Sequence, residues 1–135
     1  MKKFVIYTAV ALTACVVSPS AFAIKEFGET WVKVYVEKSE NEEFKKLAAE
    51  AKCNVCHIEG ENKKKHNPYG DTLEHDGLTK KNFPPAKFKQ QPDEVRKEIE
   101  KLFKAAEEKK AEGSEKTFGE RIKEGLLPGG DKLGK

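Results

Sequence analysis

Two thiols and an imidazole stand close together in the middle of this sequence. They belong to Cys53-Asn54-Val55-Cys56-His57, which has the C-x-x-C-H spacing through which haem c is attached. On a helix, positions 53, 56 and 57 fall within an arc of about 100°, so the three side chains would face one plane. The thiols can then add to the two vinyl groups of one haem while His57 binds the iron. The motif predicts one covalent haem c, held by Cys53 and Cys56, with His57 as the proximal ligand.

The same residues allow three other interpretations. A thioredoxin-like dithiol requires its cysteines at the start of a helix, where the helix dipole lowers a thiol pKa. A disulfide within the motif would be strained and would close almost no loop. A structural zinc site has suitable ligand types, but adjacent thiol and imidazole ligands are poor tetrahedral partners. Its candidate ligands are Cys53, Cys56 and two of His57, His66 and His75. Haem attachment fits the spacing best.

A helix is predicted to lead into the motif. Ser39 and Glu42 have the spacing of a capping box, which predicts a helix from Ser39 to Lys52. Apolar residues recur at helical spacing behind it. These are Phe44, Leu47, Ala48 and Ala51. The thiol pair would therefore follow a helix rather than begin one.

Two more helices are predicted after the motif. Asn67 as N-cap and Pro68 at the first position predict a short helix that stops at Gly77. The sequence Phe83-Pro84-Pro85 interrupts regular structure, because proline has no backbone N–H to donate. Pro92 begins the longest predicted helix, whose apolar stripe should pack in the core. The stripe consists of Val95, Ile99, Leu102, Phe103 and Ala106.

Residues 1–23 are predicted to be a signal peptide. Two lysines precede an apolar run from Phe4 to Val17, and an Ala-x-Ala cleavage pattern ends at Ala23. The run is shorter than the roughly 20 residues that a membrane span needs. Within it, the sequence before Cys15 resembles a lipoprotein box, so lipidation of Cys15 and anchoring at a membrane surface is the alternative. Both interpretations place the mature protein outside the cytoplasm, and the periplasm is the expected compartment.

The remaining segments give weaker signals. Within an N-terminal arm, residues 24–38, the β-branched and aromatic stretch from Thr30 to Val36 predicts a short strand or an extended arm. Residues 39–125 are expected to form one folded domain. Residues 126–135 contain a Pro-Gly-Gly sequence and are predicted to be a flexible tail.

Composition narrows the classes of function. The 135 residues allow one domain, and charged residues (36%) nearly equal hydrophobic ones (37%), so a bound apolar group would add to a thin core. Once Lys2 and Lys3 are set aside with the leader, 24 basic residues face 23 acidic ones. That balance argues against nucleic-acid binding. The sequence contains no spacing typical of a catalytic triad, paired carboxylates or a phosphate loop, so we do not expect an enzyme.

Over residues 39–111 the chain resembles the small monohaem c-type cytochromes of class I. The shared features are a helix that runs into Cys53-x-x-Cys56-His57, a proline-containing loop and a C-terminal amphipathic helix. The resemblance implies a mainly α fold around one covalent haem, with the long helix packed across the first. It also implies that Pro68, eleven positions after His57, offers its carbonyl to the proximal imidazole, which would fix the orientation of that ring.

A narrower resemblance concerns the small cytochromes of bacteria that oxidise ammonium anaerobically, some of which work as paired subunits that bind nitric oxide. It is based on three sequence segments. These are Cys53-Asn-Val-Cys-His57, Asn67-Pro-Tyr-Gly70 and Thr117-Phe-Gly-Glu-Arg-Ile122.

The sequence leaves the second axial ligand of the iron open. Class I cytochromes usually provide a Met, but Met1 of the leader is the only Met here, which implies a low-potential haem. His75 is the favoured distal ligand and His66 is the second candidate. An open iron is the third possibility.

We therefore expect an exported monohaem c-type cytochrome that acts as an electron carrier. Its partners would be larger redox proteins, or another small cytochrome in a dimer. The alternative is a haem module that binds NO or CO as a sensor, scavenger or regulatory subunit, which requires an open or displaceable distal position.

Overall fold

The computed structural model describes residues 20–62 and 64–135. This part of the chain is mainly α-helical and contains no strand beyond one isolated bridge, which confirms the predicted mainly α class. Most of the predicted leader, including Cys15, lies outside the described residues. The helices are α1 Ser20–Trp31, α2 Glu42–Ala51, α3 Pro68–His75, α4 Pro85–Gln90, α5 Pro92–Glu107 and α6 Phe118–Lys123.

The segment predicted as a strand or extended arm is helical, so that prediction was wrong. Helix α1 continues into a π-helical turn, Val32–Val36. Trp31, Val34 and Tyr35 are buried, whereas Val32 is 40% exposed, so burial follows a helical period. The rings of Trp31 and Tyr35 pack with their centroids 5.3 Å apart. The packing of these aromatic side chains contributes more to stability than the preference of the valines for a strand, so the segment is helical.

Helix α5 forms the centre of the core and begins at Pro92 as predicted. It packs against α1, α3, α4 and α6. Four residues of its predicted apolar stripe are buried, and the fifth, Leu102, is partly buried. The buried residues are Val95, Ile99, Phe103 and Ala106. Aromatic rings from the N-terminal half cover this stripe, as shown by the 6.3 Å between the ring centroids of Tyr35 and Phe103.

Two short helices were not predicted. The proline sequence after Phe83 ends one element but also begins α4, because Pro85 occupies the first turn of a helix, where its missing N–H costs nothing. Helix α6 begins with a capping box in which Thr117 and Glu120 satisfy each other's backbone N–H groups.

The C-terminal tail, residues 126–135, packs onto the fold, in contrast to the flexible segment predicted. Leu127 is only 1% exposed. The guanidinium of Arg121 donates to the carbonyl of Leu127 at 3.0 Å and to that of Gly130 at 3.2 Å. Because an arginine side chain carries several donors in a fixed geometry, it can hold the tail at two positions at once.

Candidate functional site

Helix α2 leads into the motif, as predicted, but its N-cap differs from the prediction. The side chain of Asn41 accepts the N–H of Phe44 at 3.1 Å, so the capping box assigned to Ser39 was wrong. The Ser39 hydroxyl instead accepts the N–H of Asn41 at 3.2 Å. At the other end, Lys52 has a φ of +51°, a left-handed value that is strained for a residue with a side chain. This break starts a 3₁₀ turn, Lys52–Val55.

The motif itself folds as a tight turn rather than as a continued α-helix. The carbonyl of Cys53 accepts the backbone N–H of Cys56 at 3.2 Å and that of His57 at 3.0 Å. Both cysteines are free thiols, with Cys53 exposed and Cys56 partly buried. Desolvation, together with the nearby Cys53, raises the pKa of the Cys56 thiol to about 12. The turn therefore holds two thiols of different accessibility beside one imidazole.

Asn67 ties this turn to α3. It is fully buried, and its side-chain Nδ2 donates to the carbonyls of Asn54 at 3.0 Å and Val55 at 2.9 Å. Its Oδ1 accepts the N–H of Gly70 at 3.0 Å, which confirms the predicted N-cap. Its backbone N–H also donates to the carbonyl of Cys56 at 2.9 Å. The sequence predicted the cap. It could not predict the bonds to the motif, because their acceptors are backbone carbonyls, which every residue has.

Two glycines allow other backbone segments to approach the motif closely. A Cβ at Gly70 would overlap the carbonyl oxygen of Cys56 and would lie 2.8 Å from the Cβ of His66. A Cβ at Gly134, which has a φ of +73°, would overlap the carbonyl oxygen of His57. The turn therefore lies between α3 on one side and the C-terminal tail on another.

The three histidines have different environments. The rings of His57 and His66 are 4.7 Å apart between centroids, and their backbones form an isolated antiparallel bridge. Rings in such direct contact are not arranged as ligands on opposite faces of one haem. His75 is the last residue of α3, with 89% of its side chain exposed and its Nδ1 3.6 Å from Asp76. Distal ligation by His75, or by His66, stays a prediction.

Pro68 occupies the first position of α3, as predicted. Its carbonyl accepts the hydroxyl of Thr72 at 2.9 Å. The bond from the His57 imidazole to this carbonyl, which the resemblance implies, stays a prediction.

A mainly apolar cavity of about 690 Å³ lies between α2 and the tail. Leu47, Leu126 and Leu133 contribute apolar surface, while Arg121 and Lys132 contribute positive charge. The motif side chains are not among its lining residues. The wall adjoins the motif, however, because the carbonyl of Lys132 accepts the side-chain amide of Asn54 at 3.3 Å. The cavity is therefore a neighbour of the motif and includes neither its thiols nor its imidazole.

No protein family, curated protein or solved structure matches the chain. Among residues 20–62 and 64–135, no helix has the length and hydropathy needed to cross a membrane. What the site can bind therefore follows from its own donors, two thiols and an imidazole in a single turn.

Proposed function

We propose that the mature protein is an extracytoplasmic monohaem c-type cytochrome that carries electrons between redox proteins. The observation that supports this proposal is the single turn in which the carbonyl of Cys53 accepts the N–H groups of both Cys56 and His57. The haem, when bound, supplies a one-electron iron couple. The proposal includes no catalytic turnover by the protein itself.

The residues of the turn would hold the haem in two different ways. Cys53 and Cys56 would hold it through sulfur, and His57 would bind its iron. Asn67 keeps the turn in shape, because its amide bonds to the carbonyls of Asn54 and Val55 fix the backbone between the two cysteines. A turn that is fixed before the haem binds costs less conformational entropy when the three donors engage one group.

The proposed location follows from the predicted leader. Cleavage after Ala23 would release the protein into the periplasm, whereas lipidation of Cys15 would anchor it at a membrane surface. Its partners would be larger redox proteins, or a second small cytochrome in a dimer.

Intact-mass analysis of the purified mature protein tests haem attachment directly. We expect a chain that begins near Ile24 and carries the mass of one haem. The Cys53→Ser, Cys56→Ser double variant should lose that mass and be far less stable. A colourless wild type whose two thiols both react with an alkylating reagent would contradict the proposal. A lipid mass on Cys15 would change only the proposed location.

A second candidate function, the binding of NO or CO, is favoured by the surroundings of the other two histidines. His75 is 89% exposed and His66 packs against His57, so neither is prearranged across an iron from His57. An iron with an open distal face could bind a small gas as a sensor, scavenger or regulatory subunit.

Optical and EPR spectra of the ferric and ferrous protein, with and without NO, separate the two functions. An electron carrier with His75 as distal ligand should be low-spin, and His75→Ala should make it high-spin while His66→Ala changes little. A wild type that is already five-coordinate and takes up NO without losing a protein ligand would favour the gas-binding function.

A further inference from the structure

We propose that His66, Asp71 and Glu74 form a binding site for a divalent transition-metal cation of the Zn²⁺ type. The three residues lie where the chain enters α3, beside the haem-attachment turn but outside it. The proposal goes beyond the proposed function and does not depend on haem attachment.

The distances between the three side chains suit one small cation. Nδ1 of His66 lies 3.2 Å from Oε2 of Glu74 and 3.7 Å from Oδ1 of Asp71. The ligand atoms of all three residues lie within 4.8 Å of one another. A tetrahedral Zn²⁺ with bonds of about 2.0–2.1 Å separates neighbouring ligand atoms by about 3.3 Å. The two imidazole–carboxylate distances lie close to that value, so small rotations of the carboxylates would complete the geometry.

The imidazole of His66 is held in place and lacks a hydrogen bond where the cation would bind. Its Nδ1 is buried and accepts or donates no hydrogen bond among the described residues. The ring is fixed by its contact with His57 at 4.7 Å and by the close backbone of Gly70. Oε2 of Glu74 lies 3.2 Å from this atom but makes no hydrogen bond with it, whereas a buried polar atom normally has a hydrogen-bond partner. A bound cation would take the place of that partner.

The two carboxylates can adjust to a cation. Asp71 and Glu74 are three positions apart on α3 and therefore share one face of the helix. Their side chains are 69% and 57% exposed, so they can rotate without disturbing the core. Oxygen ligands alone would suit Mg²⁺ or Ca²⁺, whereas the imidazole favours Zn²⁺ and related ions. Three protein ligands leave the fourth position of a tetrahedral ion for water.

Calorimetric titration of the purified mature protein with Zn²⁺ tests this site. We expect one equivalent to bind, and His66→Ala and Glu74→Gln each to weaken binding by about tenfold or more, since loss of even an outer partner of a metal ligand costs 10–100-fold. Glu61→Gln is the matched control, because it removes a nearby carboxylate that pairs with Lys65 at 3.2 Å instead. Its affinity should equal that of the wild type.

X-ray absorption at the zinc edge identifies the ligands independently. The proposal predicts nitrogen and oxygen ligands only, at about 2.0–2.2 Å, whereas a sulfur shell near about 2.3 Å would show that Cys53 and Cys56 bind the ion instead. Unchanged affinity in Glu74→Gln, an exposed change that should leave the fold intact, would overturn the proposal. An equal loss in Glu61→Gln would also do so and would indicate an adventitious ion only. A failure of haem attachment would appear in the intact mass and not in this titration.

Discussion

The interface around α5 and the turn around Cys53 are stabilised by different interactions. Buried apolar side chains of α5, such as Ile99 and Phe103, pack against aromatic rings. The turn is instead held by directional hydrogen bonds, two of them donated by the side chain of Asn67. Burial of apolar surface stabilises a fold without specifying distances closely, whereas hydrogen bonds set distances and angles. The apolar core and the geometry of the donors therefore depend on different residues of this protein.

The largest loss of stability is expected from a substitution in the α5 interface. Phe103→Ala should lower the free energy of unfolding by about 3–5 kcal/mol, because it removes a buried ring and leaves a cavity. Denaturant titration measures the change. Leu102→Ala, at the adjacent and only partly buried position, should cost clearly less. Equal losses at the two positions would mean that α5 does not pack on the face described.

The next largest effect is expected where the turn meets α3. Asn67→Ala removes a helix cap and leaves the carbonyls of Asn54 and Val55 without their donor, so we expect a loss of about 2–4 kcal/mol. Asn41→Ala is the matched control, because Asn41 also caps a helix but lies exposed and holds no motif carbonyl. Its expected cost is about 1 kcal/mol. If the two variants lose the same stability, the bonds to the motif contribute nothing beyond the cap.

Two glycine-to-alanine substitutions should change stability in opposite directions. At Gly70 an added methyl group would meet the Cys56 carbonyl, and we expect Gly70→Ala to cost about 1–3 kcal/mol. At Gly28 in α1 no atom lies within 4 Å of the added Cβ, so Gly28→Ala should stabilise the helix by about 0.5–1 kcal/mol. Thermal unfolding of both variants measures the shifts. A stabilising Gly70→Ala would show that α3 does not approach the turn so closely.

The smallest effect on stability near neutral pH is expected from the two thiols of the haem-free protein, which should differ mainly in reactivity. Cys56, with a pKa raised to about 12, should react with iodoacetamide much more slowly than the exposed Cys53. The folded state holds the Cys56 proton more tightly than the unfolded chain does, so this thiol gives its full stabilisation below the ordinary thiol pKa. The stabilisation is lost as the pH rises from about 9 towards 12. Peptide mapping and unfolding at several pH values measure both effects, and equal reaction rates would contradict the burial of Cys56.

Local sequence signals located two helices that follow the motif. Pro92 and the Asn67-Pro68 pair marked helix starts correctly, because a cap and a first-turn proline act within a few residues. The segment from Thr30 to Val36 misled for the converse reason. Its β-branched residues favour a strand locally, but Trp31 and Tyr35 gain more from packing as part of a helix.

The donor residues of the site could be predicted from the sequence, but the contacts that hold them in position could not. Cys53, Cys56 and His57 are close along the chain, so their spacing alone brings them into one turn. The bonds from Asn67 to the motif, and the approach of His66 to Glu74, depend on how α3 is placed in the fold. No periodic pattern encodes a contact between a side chain and a distant carbonyl.

The hydrogen bond between Asn54 and Lys132 joins residues 78 positions apart, and this separation affects the order of folding. Contacts between distant residues form late, because the loop between them must first close. Chains are made from the N-terminus, so the turn at Cys53 can form with α2 before the last residues exist. The time between these two events is an interval in which Cys53 and Cys56 are already positioned but the tail does not yet cover their loop. During that interval the loop lacks the contacts that Asn54 and His57 later make with the tail.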